Sequence, residues 1–371
     1  MNILHVVGAR PNFMKVAPVL HALKKHDGVS QVLVHTGQHY DANMSDVFFE
    51  QLGLPAPDVN LGVGSATHAK QTAEIMSRFE AVVEDCRPDL VLVYGDVNST
   101  MAAALVCTKL GVRVGHVEAG LRSGDRSMPE EINRLVTDQL ADLLFTPSKD
   151  ADRNLHREGV SSDKISCVGN VMIDSLVKLL PHAQWEPKNG RPERYALVTL
   201  HRPSNVDDVT VLKTILESLI EVSADLTILF PVHPRTLNRI SHLGLNAQRI
   251  RLLEPQPYLS FLAMQRGATA VITDSGGIQE ETTYLGVPCL TLRENTERPI
   301  TVSLGTNVLV GRNPDRLRNE LAKILGGHAK KGSIPPFWDG RAAERIASIV
   351  TGKACPGPAF PTHVEDQLTR V

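Results

Sequence analysis

Short β-prone runs alternate with stretches of helical periodicity from the first residues to about residue 350, and this rhythm constrains the fold more than any other feature of the chain. Runs such as LVLVYG (90–95) and YALVTL (195–200) are apolar without alternation, so both faces of the strand need cover. The pattern predicts parallel sheets between helical layers, an α/β architecture. In the first half, strands are expected at 3–8, 31–36, 90–95, 112–117, 142–147 and 164–169. A helix from about Asn12 would put Phe13, Val16, Val19, Leu20 and Leu23 on one face. The stretch 181–194 carries proline and charge with no apolar period and reads as a linker. The rhythm then restarts with strands expected at 195–200, 226–232, 250–255, 269–273 and 288–292 and a helix over 209–223. At 371 residues the chain is too long for one core. Two Rossmann-like, doubly wound domains facing a cleft are expected, over 1–180 and 195–339, followed by a last helix and an irregular tail over 340–371.

Composition excludes several function classes. A net charge of −2 leaves no basic surplus for nucleic acid, and no apolar run is long enough to span a membrane. The N-terminus opens directly on a strand without a basic segment, so a cytoplasmic protein is expected. Five scattered cysteines without metal-type spacing read as reduced thiols, and no metal is expected. No full GxGxxG and no GxxxxGK[ST] occurs, which disfavours a nicotinamide enzyme and a P-loop NTPase.

The chemistry is concentrated where strands end. At 268–292 an apolar strand runs into Asp274-Ser275-Gly276-Gly277 and then a helix, a turn suited to phosphate, because glycines allow close approach and the first helical N–H groups have no partner of their own. Glu281, one turn further, suits ribose hydroxyls. In an open parallel sheet, ligands bind beyond the carboxyl ends of the strands. Those ends deliver Arg10 and Lys15, Asp96, Glu118, His201 with Arg202, His233, Ser275, and Arg293 followed by Arg298. Arg10, Lys15, Arg298 and the glycine turn suit a diphosphate. Asp96, Glu118 and Glu130 suit proton transfer on an attached sugar.

Several long motifs coincide with these positions: GARPNFMKVAP (8–18), YGDVNST (94–100), GHVEAGLRSGD (115–125), PEEINR (129–134), TLHRPSN (199–205), FPVHP (230–234), TDSGGIQEE (273–281), LGVPCL (285–290) and TERP (296–299). In this set and order the chain resembles the non-hydrolysing UDP-N-acetylglucosamine 2-epimerases. The resemblance implies a glycosyltransferase-B-like fold with a UDP-sugar partner in the interdomain cleft, a homodimer, and no redox cofactor. It implies that Ser275, Gly276, Gly277, Glu281 and Arg298 hold diphosphate and ribose, that Gln256 and Phe261 line the uridine pocket, and that Arg10 and Lys15 reach across. His201 would stabilise departing UDP, and Asp96, Glu118 and Glu130 would serve the two faces of C2. Glu131 reads as structural. The implied reaction converts UDP-N-acetylglucosamine to UDP-N-acetylmannosamine by eliminating UDP to a bound glycal and adding it back. Epimerisation of a 3-acetamido or uronate UDP-sugar, hydrolytic release of ManNAc, and glycosyl transfer remain open. Two stretches depart from many relatives: His201-Arg202-Pro203-Ser204-Asn205, and the run after Gln38-His39, where a second substrate site would be expected.

Overall fold

The computed structural model describes residues 1–38, 52–187, 190–222, 226–243 and 250–353; the run beginning at His39 lies outside them. Among the described residues the first half contains β1 (Asn2–Val7), α1 (Arg10–Leu23), β2 (Ser30–His35), β3 (Val59–Asn60), α2 (His68–Cys86), β4 (Leu90–Tyr94), α3 (Asn98–Lys109), β5 (Val114–Val117), α4 (Pro129–Leu140), β6 (Leu143–Thr146), α5 (Lys149–Arg157), β7 (Ile165–Cys167) and α6 (Val171–Leu179). Its strands form one sheet in the order β3-β2-β1-β4-β5-β6-β7, every neighbouring pair parallel.

The second half repeats the plan with β8 (Tyr195–Thr199), α7 (Pro203–Val206), α8 (Val209–Val222), β9 (Thr227–Pro231), α9 (Pro234–Ser241), β10 (Ile250–Leu253), α10 (Tyr258–Gly267), β11 (Ala270–Thr273), α11 (Gly276–Leu285), β12 (Cys289–Thr291), α12 (Pro299–Ser303), β13 (Asn307–Leu309) and α13 (Pro314–Leu325). The sheet order is β10-β9-β8-β11-β12-β13, again parallel throughout. In each sheet the winding reverses beside the first strand, between β1 and β4 and between β8 and β11. In open parallel sheets such reversals leave a crevice beyond the carboxyl ends of the strands.

The expected strands all form, within two residues at each end. Two further strands, β3 and β13, of two and three residues, lie outside the runs that the sequence reading picked out. Helix α1 starts at Arg10 rather than Asn12, since Pro11 in its first turn lacks an N–H that the helix would leave unbonded anyway. The linker is packed. Ala183 and Trp185 are buried in a core cluster shared with residues of both halves, and Arg191 lies 5.6 Å over the Trp185 ring. After the second sheet the chain returns to the first. Trp338 Nε1 donates to Pro147 O at 2.9 Å, and the last described helix, α14 (Ala342–Thr351), packs on α1 and α6.

Candidate functional site

At the first switch point, Asn12 accepts the Gly8 and Ala9 N–H groups at 3.0 and 3.1 Å and donates to Tyr94 O at 2.8 Å. This ties the turn after β1 to the end of β4. One turn along α1, the buried Lys15 ammonium pairs with Glu118 Oε2, and a Cβ on Gly95 would lie 2.7 Å from that ammonium. Gly95, at φ +66°, therefore gives the pair its room. Glu118, just past β5, has φ +77°. A non-glycine residue in the left-handed region costs roughly 1–2 kcal/mol and persists only where its surroundings fix it.

Glu118 is also where the halves meet. Arg298, the residue capping α12, donates from Nη2 to Glu118 Oε1 at 3.1 Å across the cleft. On its own side Nη1 donates to Glu297 Oε1 at 2.5 Å, and Nε lies 2.7 Å from Glu280 Oε1 as an ion pair without hydrogen-bond alignment. Glu297 in turn pairs with Arg293 at 2.7 Å. Three cations, Lys15, Arg293 and Arg298, thus face three carboxylates, Glu118, Glu280 and Glu297, all nearly inaccessible to solvent. Burial pushes the Glu118 carboxyl up, but Lys15 and Arg298 outweigh it and hold the group below its ordinary range. Burial wins at Glu280, which is pushed up.

The same guanidinium lies over the glycine turn. A Cβ on Gly276 would come within 2.3 Å of Arg298 Nη1, so the first glycine admits the arginine. A Cβ on Gly277 would meet no protein atom within 4 Å. Ser275 precedes α11 without a side-chain capping bond. The glycine turn, Arg298 and Glu118 are therefore contiguous.

His201 is exposed, and its Nδ1 lies 2.8 Å from Asp274 Oδ1. Asp274 is fully buried and accepts the backbone N–H of His201 at 3.1 Å, that of Arg202 at 3.0 Å and the Asn205 amide at 3.1 Å. Burial pushes its carboxyl up, yet these donors hold it below its usual value. Proline at 203 leaves this loop anchored by the residues on either side of it.

Asp96 is half-buried after β4 and bonded to Arg134 Nη1 at 2.5 Å. Arg134 is shared with Glu131 at 2.8 Å, and Glu131 also accepts the Ser123 and Gly124 N–H groups, the behaviour of a structural carboxylate. Glu130 is half-buried in the first turn of α4, beside Met128, whose sulfur lies 3.8 Å from Arg202 Nη1 of the other half. Glu281 is buried, with Tyr258 Oη donating to one oxygen at 2.8 Å and Gln265 Nε2 to the other at 2.6 Å. A carboxylate has about four acceptor sites, so both ribose hydroxyls could still be accepted. Gln256 donates to Glu254 O at 2.8 Å, and the Phe261 ring is half-buried on α10 against the core. Arg10 opens α1, and its side chain lies outside the described residues.

Sequence reasoning assigned no role to Glu280, Glu297 or Asp274. Their signal was adjacency: two carboxylates, Glu280-Glu281, after a phosphate turn, a Glu-Arg pair at 297–298, and an Asp at the end of an apolar strand.

The family model described as UDP-N-acetylglucosamine 2-epimerase matches residues 21–351. The crystal structure of Methanocaldococcus jannaschii UDP-GlcNAc 2-epimerase in complex with UDP-GlcNAc and UDP superposes with a TM-score of 0.86 at 42% identity, covering 95% of this chain and 100% of that one. A Pseudomonas aeruginosa UDP-2,3-diacetamido-2,3-dideoxy-D-glucuronate 2-epimerase is 41% identical over 353 residues, 94% of this chain and 99% of the relative. The glycotransferase of kitacinnamycin shares the fold alone, with a TM-score of 0.55 at 15% identity.

Proposed function

We propose, from the premise that this chain belongs to the UDP-N-acetylglucosamine 2-epimerase family, that it interconverts UDP-N-acetylglucosamine and UDP-N-acetylmannosamine by elimination and re-addition of UDP. The observation that carries the reading is Arg298. One guanidinium touches Glu118 in the first half and overlies Gly276 in the second, so a diphosphate on the α11 N-terminus has its sugar beside Glu118. Lys15, Arg298 and the first N–H groups of α11 stabilise the charge that builds on the diphosphate as the C1–O bond breaks. His201, oriented by Asp274, assists at the phosphates. As positive charge grows at C1, a carboxylate among Asp96, Glu118 and Glu130 takes the C2 proton, and the electrons of that C–H bond form the C1–C2 double bond of a glycal. In the return, a carboxylic acid protonates C2 from the opposite face and the retained UDP oxygen adds to C1. Substrate and product are isomers, so no atom is left over.

Gln256, Phe261 and Glu281 are assigned to the uridine and ribose, and Arg10 to the phosphates. A second reading, epimerisation of a UDP-2,3-diacetamido-uronate, is favoured by the 41% identity to the P. aeruginosa enzyme. Incubation with each UDP-sugar in deuterated water tests both. Deuterium at C2 of recovered UDP-GlcNAc and UDP-ManNAc is expected. Turnover of the diacetamido-uronate alone would transfer the assignment to the second substrate, and net release of free ManNAc would replace re-addition by hydrolysis.

A further inference from the structure

His116 lies on β5 two residues before Glu118, fully buried, and takes no part in the proton transfers above. Its Nδ1 is 2.6 Å from Asp138 Oδ1, and its Nε2 is 2.7 Å from Gly95 O. A backbone carbonyl has no proton to give, so Nε2 carries the hydrogen of the bond to Gly95.

Asp138, on α4, also accepts the Gly120 N–H at 3.0 Å and pairs with Arg122 at 2.7 Å. It thereby grips the chain two residues before and two residues after Glu118, the residue with left-handed backbone. At the other end of the ring, Gly95 receives the Nε2 hydrogen bond at its carbonyl while its own N–H donates to Val117 O at 3.0 Å. Both peptide groups of Gly95 are fastened to β5, and Asp96 is the next residue.

We propose that His116 is a positioning residue that holds the Gly95-Asp96 turn and the Glu118 backbone in one fixed relation. Two carboxylates that act on opposite faces of one carbon need a common reference, and a single buried ring bonded to both segments supplies it. The proposal rests on the epimerase reading and concerns how its acids are held.

Two substitutions separate positioning from packing. In H116Q the amide reaches toward the Nε2 position and keeps the donor to Gly95. In H116N it reaches only the Nδ1 position and keeps the Asp138 partner. With UDP-GlcNAc as substrate, H116N is expected to lose about 100-fold in kcat while UDP affinity is unchanged, and H116Q to recover roughly a tenth or more of wild-type kcat. Equal losses, a more active H116N, or a loss in UDP affinity instead of kcat would overturn the proposal. Should either variant not fold, imidazole nitrogen NMR on the wild-type chain decides: a hydrogen-bonded proton on Nε2 supports the clamp, and an Nε2 without a hydrogen refutes it. A wild-type chain that does not turn over UDP-GlcNAc would refute the substrate assignment instead, and the NMR measurement would still test the ring.

Discussion

At the scale of single residues, Glu118 gathers the most physics. It is buried, it sits in left-handed backbone, and it is held by one cation from each half of the chain. On the proposed function, a diphosphate entering the cleft would compete with this carboxylate for Lys15 and Arg298. Glu118→Gln is therefore expected to lower turnover by about 10²–10⁴-fold, as for loss of a general base, while UDP binds at least as tightly as to wild type. Calorimetric titration with UDP beside an epimerisation assay checks this; weaker UDP binding would show that Glu118 aids the nucleotide rather than competes with it. The sequence reading places Glu118 correctly at a strand end. It does not pair it with Lys15 and Arg298, which lie 103 and 180 residues away, because no local pattern encodes such separations. Asp274 was equally hidden: a carboxylate that organises another segment looks, in sequence, like any helix-preceding Asp. Removing its charge in Asp274→Asn leaves three donors around a neutral group. It is expected to cost about 1–3 kcal/mol of stability, and to lower kcat by releasing the His201 loop, measurable by denaturation and by turnover.

At the scale of elements, the turn into α11 divides its work between two glycines. Gly276→Ala would drive a methyl group into Arg298 and Glu297, so lower thermal stability and weaker UDP binding are expected together. Gly277→Ala meets no protein atom. In a helix it is expected to leave stability unchanged or raise it by about 0.5–1 kcal/mol, while UDP affinity falls. Full UDP affinity in Gly277→Ala would remove the phosphate from this turn. The turn was legible because its signal is local: strand, two glycines, helix. The strands were legible for the same reason, since an apolar run needs no partner to be recognised. β3 and β13 were not, for their existence depends on a neighbouring edge rather than on their own residues. The linker was legible only in part. Its proline and charge were read, but Trp185, which binds it into the core, was a single aromatic residue among them.

At the scale of the whole molecule, the return of α14 onto the first half is fastened by Asp174. Its carboxylate accepts the Ala342 and Ala343 N–H groups at 3.1 and 2.7 Å, and burial pushes its pKa up to about 7. The folded chain therefore holds this proton more tightly than the unfolded chain, whose Asp titrates in the ordinary carboxylate range. Stability from this group is full below that range and is lost as pH rises toward 7. Relative to Asp174→Asn, the wild type is expected to lose on the order of a few kcal/mol between about pH 4 and pH 7, read from denaturation midpoints at a series of pH values. A difference that stays flat across that window would remove Asp174 as the titrating group. The same contact has a consequence for how the chain is made. Thr351 Oγ1 lies 3.2 Å from His26 Nδ1, across 325 residues of sequence, and the last described helix covers the first. Domains ordinarily fold in the order they leave the ribosome. By that order the part of α1 that α14 covers stays open to water until residue 351 has been made. A chain that stops short of α14 leaves the part of α1 that this helix covers open to water.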